Sequence, residues 1–368
     1  MKIPGELISL SRYYGSNQNY VIGGGGNTSY KQGDRMWIKA SGIPLGSIDR
    51  SGFVCLSRSK LDKISTANYS ENPFHREQEI KNDLIEAVCD VTRKRPSVET
   101  SLHNLLRSPF VVHTHPTIVN AMLCSVDAER VTEEIFGNDV LFVDYINPGY
   151  ELFKYTESKL VEYRTVFGDE PEVILLRNHG LIVCGETPDD INFRTLEIVN
   201  NIEAHLRTEL PSTDYISPGG VLKSTIRELE YYFKRLNLVT FFRDNNLIQK
   251  FVDKEETFKR SVHPLTPDNV VYCKSQYLFT AGEAINILSD TESFKSRTGY
   301  LPSIIAIEKN GLISLGPDKE SARRSMDVFH DMIKIIFLSG NFGGPEFLSP
   351  EQIGFIDNWE AENYRRSV

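Results

Sequence analysis

The chain has 368 residues, enough for one large domain or two moderate ones, and its 40% hydrophobic and 25% charged content is that of an ordinary globular protein. A formal net charge of −9 argues against non-specific nucleic-acid binding as the main activity and leaves room for a local cationic pocket. No apolar stretch approaches transmembrane length and Met1-Lys-Ile-Pro-Gly-Glu is too polar for a signal peptide, so neither a nucleic acid nor a membrane is an expected partner.

Residues 6–14 read as a short helix, with Tyr13-Tyr14-Gly15 leading into a polar loop. Four glycines, 23–26, precede Asn27-Thr-Ser-Tyr and a charged turn, and Met36-Trp-Ile-Lys-Ala40 follows as a strand. Two readings stay open for the glycines. They form either a loosely turned hairpin or a backbone cradle whose N–H groups approach an anion, with Asn27 as a side-chain donor. No G-x-G-x-x-G joins a strand to a helix, so this is not a nucleotide fingerprint. Asn72-Pro73 opens a helix whose stripe is Ile80, Leu84, Val88 and Val91, and Arg93-Lys94-Arg95 makes a basic last turn. Pro96 and Ser97 suit the start of a further helix, with Leu102, Leu105 and Leu106 on its apolar side. Glu99 and His103 are four residues apart on one face. Glu99 is either a first-turn acid favoured by the helix dipole or a general base at the mouth of a site.

Phe110-Val-Val-His113-Thr-His115-Pro116 reads as a short buried strand. Side chains alternate along a strand, so His113 and His115 share a face with Cα atoms roughly 6.5 Å apart. Two imidazoles so placed can converge on one ion at Zn–N distances of about 2.0–2.1 Å. Asn178-His179-Gly180, ending the apolar run Val173-Ile-Leu-Leu176, supplies a third histidine. A single histidine at a strand end is more often just hydrogen-bonded; a same-face pair with a third at an analogous strand end favours a metal. Leu141-Phe-Val-Asp-Tyr145 is a strand whose Tyr145 is either structural or a proton donor near that metal.

Thr187-Pro-Asp-Asp190 caps a helix expected to run to about residue 209, and Pro211 to Gly220 reads as a linker. Leu222, Ile226, Leu229, Phe233 and Leu236 then mark a long amphipathic helix, read as a packing element. Ile304-Ile-Ala-Ile-Glu-Lys-Asn310-Gly311 through Gly316 aligns with Val173 through Gly185 at a constant offset of 131 (310 − 179). Thr187 and Asp318 share the cap position and Ile198 matches Phe329. Either an internal repeat or convergent turn chemistry produces this pattern. In the repeat reading the second copy has Asn310 in place of His179 and no metal site. The five cysteines, Cys55, Cys89, Cys124, Cys184 and Cys273, lack C-x-x-C spacing and suggest reduced thiols in the cytoplasm.

The series Gly23–Gly26-Asn27-Thr-Ser29, Lys39-Ala-Ser41-Gly42, Pro96-Ser97-Val98-Glu99, His113-Thr-His115-Pro116 and Asn178-His179-Gly180 resembles the zinc-dependent class II aldolase/adducin family over residues 1–210. Within it the chain is most similar to the L-rhamnulose-1-phosphate and L-fuculose-1-phosphate aldolases, notably the aldolase portion of bacterial aldolase–dehydrogenase fusions. The ending Phe355-Ile-Asp-Asn-Trp-Glu-Ala-Glu-Asn-Tyr-Arg-Arg looks like the end of that portion, and no dehydrogenase segment is expected here. The resemblance implies an α/β fold: a three-layer αβα domain at 1–212 with a central, mostly antiparallel sheet, then a smaller α/β domain at 213–368. It implies zinc on His113, His115 and His179, Glu99 as the catalytic carboxylate, and Gly26, Asn27, Ser41, Gly42 and Ser97 on phosphate-binding loops. Gly24 and Val98 depart from the pattern, since the family carries hydroxyls there. The implied reaction is aldol cleavage of a ketose 1-phosphate by a homo-oligomer. Related 4-epimerases and dehydratases share the triad, and non-catalytic adducin-like scaffolds lack the histidines.

Overall fold

The computed structural model describes residues 3–89, 92 and 94–359. Residues 3–123, 127–205 and 358–359 form one compact unit, and 124–126 with 206–357 form a second. Residues 206–219 carry neither helix nor strand. All five cysteines are free thiols.

The first unit runs α1 (Gly5–Gly15), β1 (Asn27–Gln32), β2 (Arg35–Lys39), β3 (Phe53–Ser57), α2 (Arg58–Thr66), α3 (Pro73–Glu86), α4 (Thr100–Leu105), β4 (Phe110–Thr114), α5 (Thr117–Leu123), α6 (Ala128–Phe136), β5 (Leu141–Val143), α7 (Tyr150–Phe167), β6 (Val173–Leu176), β7 (Gly180–Gly185) and α8 (Pro188–Glu203). Its seven strands make one sheet in the order β3-β2-β1-β4-β7-β6-β5. Every pairing is antiparallel except β5 with β6, as expected of a mostly antiparallel sheet.

Helices cover both faces because the strands are apolar on both. On one face Met36, Ile38, Val54 and Leu56 pack on Leu61, Ile64, Ile80 and Leu84 of α2 and α3. Further along that face Val111, Ile174, Leu176, Ile182 and Cys184 pack on Leu102 of α4 and on Leu152 and Leu160 of α7. The opposite face carries α1, α5 and α8. There Ser11 of α1 bonds Thr28 at 2.7 Å, and Tyr14 donates to Asn192 of α8 at 2.9 Å. The capping box at Thr187 and Asp190 starts α8 as expected, but the helix ends at Glu203, before residue 209.

Two local expectations change. The helix opened by Asn72 ends at Glu86, so Ile80 and Leu84 lie in the core while Val88 forms a β-bridge with Leu56. Cys89 N–H reinforces that bridge by donating to Cys55 O at 2.8 Å. Val91 and Arg93 lie outside the described residues, as does the chain ending from Glu360 onward. Lys94 and Arg95 are irregular chain and not a helical last turn.

The second unit runs α9 (Gly220–Arg235), β8 (Val239–Arg243), α10 (Asn246–Val252), α11 (Glu255–Ser261), α12 (Pro267–Cys273), β9 (Leu278–Thr280), α13 (Ala284–Thr298), β10 (Ile304–Ile307), β11 (Gly311–Gly316), α14 (Lys319–Ser339) and α15 (Pro350–Asn358). Its sheet order is β8-β11-β10-β9. The amphipathic α9 packs Ile226, Leu229 and Phe233 into this unit's core, as read from its stripe.

The offset of 131 persists in space. Leu176 pairs Gly180 as Ile307 pairs Gly311, and Ile174 pairs Leu141 in parallel as Ile305 pairs Leu278. The residues before the two strand-turn positions, Asn178 and Lys309, both have positive φ, 52° and 56°. Thr187 and Asp318 each accept a backbone N–H at the start of the following helix. The strand β8 pairs with β11 as β4 pairs with β7, so the whole β4–α8 frame recurs in the second unit.

Candidate functional site

Sheet register builds the site. Asn27 of β1 lies opposite His113 of β4, and His113 lies opposite Ile182 of β7. Residues directly across a sheet point to one face, so Asn27 and His113 share the face carrying α4. His115 leaves β4 two residues later, its N–H held by Tyr20 O at 2.9 Å. His179 sits in the tight turn between β6 and β7, reached through the left-handed Asn178. Gly180 completes that turn: a Cβ there would meet Thr114 O at 2.5 Å and His115 Cδ2 at 2.8 Å.

The three imidazoles converge. His113 Nε2 is 3.0 Å from His115 Nε2 and 3.2 Å from His179 Nε2. His113 Nδ1 lies 3.1 Å from Leu181 O; donating to it fixes the tautomer and turns the Nε2 lone pair inward. A tetrahedral cation at Zn–N distances near 2.0–2.1 Å sets its ligand nitrogens about 3.4 Å apart, close to the spacings found. Burial holds the His113 pKa well below the usual imidazole value, the neutral form a ligand requires. Among the described residues this is the one group of three His, Cys, Asp or Glu side chains able to hold a metal ion.

Glu99 completes the cluster. It is not a first-turn acid: it precedes α4, at the N-cap position, and its side chain caps nothing. One carboxylate oxygen lies 3.3 Å from His113 Nε2 and 3.5 Å from His179 Nε2, and the other accepts from Asn27 Nδ2 at 3.2 Å. Burial pushes the carboxyl pKa up, but the adjoining His113 and His179 rings together hold it well below the usual carboxylate range. The three imidazole nitrogens form a donor set that fits a metal such as zinc, with a Glu99 oxygen beside two of them.

Two of the expected anion-loop residues, Asn27 and Ser97, meet beside this cluster. Asn27 Nδ2 also donates to Ser97 Oγ, which accepts the Glu99 N–H at 3.2 Å. The bridge between Ala40 and Pro96, with Ser41 N–H donating to Arg95 O at 3.0 Å, sets the 41–42 turn against that loop. Gly26 and Gly42 both have positive φ, 66° and 78°. At Gly26 a Cβ would also stand 2.9 Å from His113 O. The hydroxyl-lacking positions behave differently from each other: Gly24 offers its carbonyl to Lys39, and Val98 faces an apolar cavity with Ser41, Leu84 and Phe153.

Sequence reasoning assigned no role to Lys39. Its buried ammonium donates to Gly24 O at 3.2 Å and Ile43 O at 3.1 Å, setting a positive charge between the two loops. A lysine inside the apolar run Met36-Trp-Ile-Lys-Ala40 was the available signal. Tyr145 follows β5; its hydroxyl is buried without a hydrogen-bond partner among the described residues, and no bond ties it to the triad. In the second unit Asn310 donates to Glu308 O at 2.7 Å, and His330 accepts from Asn245 Nδ2 at 2.9 Å.

No helix of the described residues is long and apolar enough to cross a membrane. Residues 215 in extent are 30% identical to "Uncharacterized oxidoreductase YuxG" of Bacillus subtilis, covering 56% of this chain and 30% of that protein. The chain therefore spans under a third of that relative's length. An L-fuculose phosphate aldolase of Methanocaldococcus jannaschii is 27% identical over 179 residues, 46% of this chain and 77% of that protein. Among solved structures, the N-terminal class II aldolase domain of a conserved protein from Thermoplasma acidophilum is 28% identical, with 55% of this chain and 95% of that one covered at a TM-score of 0.47. Residues 5–206, more than half of the chain, match the Class II Aldolase and Adducin N-terminal domain. The chain belongs to the class II aldolase and adducin family.

Proposed function

We propose that this chain catalyses reversible aldol cleavage of a ketose 1-phosphate, with L-rhamnulose 1-phosphate as first candidate, to dihydroxyacetone phosphate and an aldehyde. The observation carrying this reading is the convergence of His113, His115, His179 and Glu99 beside the Asn27–Ser97 contact. A proton-transfer group, a metal-ligand set and an anion loop within one cluster are the parts such a reaction needs. His113, His115 and His179 would hold zinc, which supplies Lewis-acid polarisation of a bound carbonyl and hydroxyl.

The chain's own groups do the rest. Glu99 removes the proton on the carbon alpha to the carbonyl in the condensation direction and returns it after carbon–carbon cleavage. Asn27, donating to the far oxygen of Glu99, turns the near oxygen toward the substrate side. Backbone at Gly26 and Gly42 with the Asn27, Ser41 and Ser97 side chains would hold the phosphate, and Lys39 adds charge beneath them. Gly24 and Val98 contribute no hydroxyl, so phosphate binding leans on these residues. The protein would work in the cytoplasm as a homo-oligomer. A 4-epimerase or dehydratase of the same family is the alternative; an adducin-like scaffold is disfavoured by the intact triad.

Incubation of zinc-loaded protein with ketose 1-phosphates, coupled to enzymatic detection of dihydroxyacetone phosphate, tests the proposal. Release dependent on zinc supports it. Epimerised product without triose phosphate would replace it with the alternative.

A further inference from the structure

Helix α4 is six residues long, too short to hold its own geometry, so the local Ser97 bonds at its start need tertiary ties beside them to fix Glu99. Two of these ties run from β1. Asn27 donates to Glu99, and two residues on, Ser29 Oγ lies 2.8 Å from His103 Nδ1. Asn27 and Ser29 share a strand face with a rise of about 6.6 Å between them. Glu99 and His103 stand one helical turn apart, about 6.0 Å along the axis, joined by the His103 N–H to Glu99 O bond of 3.0 Å. The two spacings match, so strand and helix meet as a two-rung ladder.

His103 is fully buried, and its Nε2 has no hydrogen-bond partner among the described residues, so Ser29 is the ring's one polar tie. Burial pushes its pKa down to about 3, so the ring is neutral and can complete the Ser29 bond as either donor or acceptor. Glu99 lies beside His113 and His179 and accepts from Asn27; the His103 ring hydrogen-bonds none of these among the described residues and acts through the helix.

Building on the lyase reading, we infer that His103 is a positioning residue, the second rung that sets the Glu99 carboxylate against His113 and His179. A displacement of about 1 Å at such a group can cost roughly 10²-fold in rate. Ser29→Ala and His103→Phe each remove the rung, and His103→Phe keeps an aromatic ring, somewhat larger, in its place. Each should lower kcat by roughly 10–10²-fold with KM little changed and zinc content full. The double variant should lose no more than the worse single one, since both act on one bond. His103→Asn keeps a hydrogen-bonding atom near the Nδ1 position and should restore most of the activity. Unchanged kcat in Ser29→Ala, or an His103→Asn protein no better than His103→Phe, would overturn the inference, as would a kcat loss that follows lowered zinc content. Should wild-type protein show no lyase activity, the function reading fails and crystal structures of the same zinc-loaded variants still decide the ladder. Glu99 must then leave hydrogen-bond reach of Asn27 in Ser29→Ala; a carboxylate that stays in place refutes it.

Discussion

Changing Glu99 to Gln removes one negative charge from the cluster and almost no volume. The geometry dictates how the amide would sit. Asn27 Nδ2 points at one carboxylate oxygen from 3.2 Å, so the glutamine must offer its carbonyl there and turn its NH2 toward His113 and His179. An NH2 group cannot accept a proton, so the general-base contribution is lost outright. That contribution is typically roughly 10²–10⁴-fold, or about 3–5.5 kcal/mol of barrier. The assay is deuterium exchange from solvent into dihydroxyacetone phosphate, followed by loss of the α-proton resonance, with zinc measured on the same sample. Three histidines remain, so zinc should stay near one per chain while exchange falls by that factor. Exchange within tenfold of wild type, at full zinc, would show that another group moves the proton.

Replacing His113 or His179 by Ala should remove both zinc and turnover, measured by elemental analysis and triose-phosphate release; full metal in both variants would rule out the ligand assignment. Gly26→Ala forces a Cβ to 2.9 Å from His113 O at φ +66° and should destabilise by at least about 1–2 kcal/mol while weakening substrate binding, read as a lower denaturation midpoint and a raised KM. Asn310→Ala removes one hydrogen bond, to Glu308 O, and should cost about 1 kcal/mol with zinc stoichiometry unchanged. For His330, burial pushes the folded pKa down to about 3, with Lys334 and Arg243 adding to the effect, against about 6.5 for the unfolded chain. The unfolded state takes up the proton first, so this contribution is intact above about pH 6.5 and is lost as pH falls toward 3. The slope is up to about 1.4 kcal/mol per pH unit; denaturant midpoints against pH should show it, and His330→Gln should flatten it.

The triad was legible because strand period alone puts His113 and His115 on one face, and because His179 ends a second apolar run, Val173 to Leu176, just ahead of Gly180. What stayed illegible was non-local. Whether Glu99 was a helix-dipole acid or a member of the cluster depends on β1 lying beside β4 with Asn27 opposite His113, and no local spacing encodes that register. Lys39 stood in a quoted motif without a role because its partners are main-chain carbonyls, which leave no trace in composition. The stripe through Val88 overran the helix because pairing of Val88 with Leu56 overrides helical period once α3 has ended.

The recurring frame separates what the fold requires from what the chemistry requires. Both copies keep the apolar strand pair, the left-handed residue before the turn, the glycine after it and the helix cap. Thr114 pairs with Leu181 as Arg243 pairs with Leu312, so Phe242 stands in the second copy where His113 stands in the first. Asn310 stands for His179 in the same way. The second frame therefore closes its sheet with an aromatic ring and an amide in place of two imidazoles. There Asn310 donates to Glu308 O, and the buried Asn245 donates to His330. Strand pairing and packing hold this frame without the histidines. A His113→Ala protein that loses zinc should consequently remain folded, and its loss of turnover then reports on the site rather than on the scaffold.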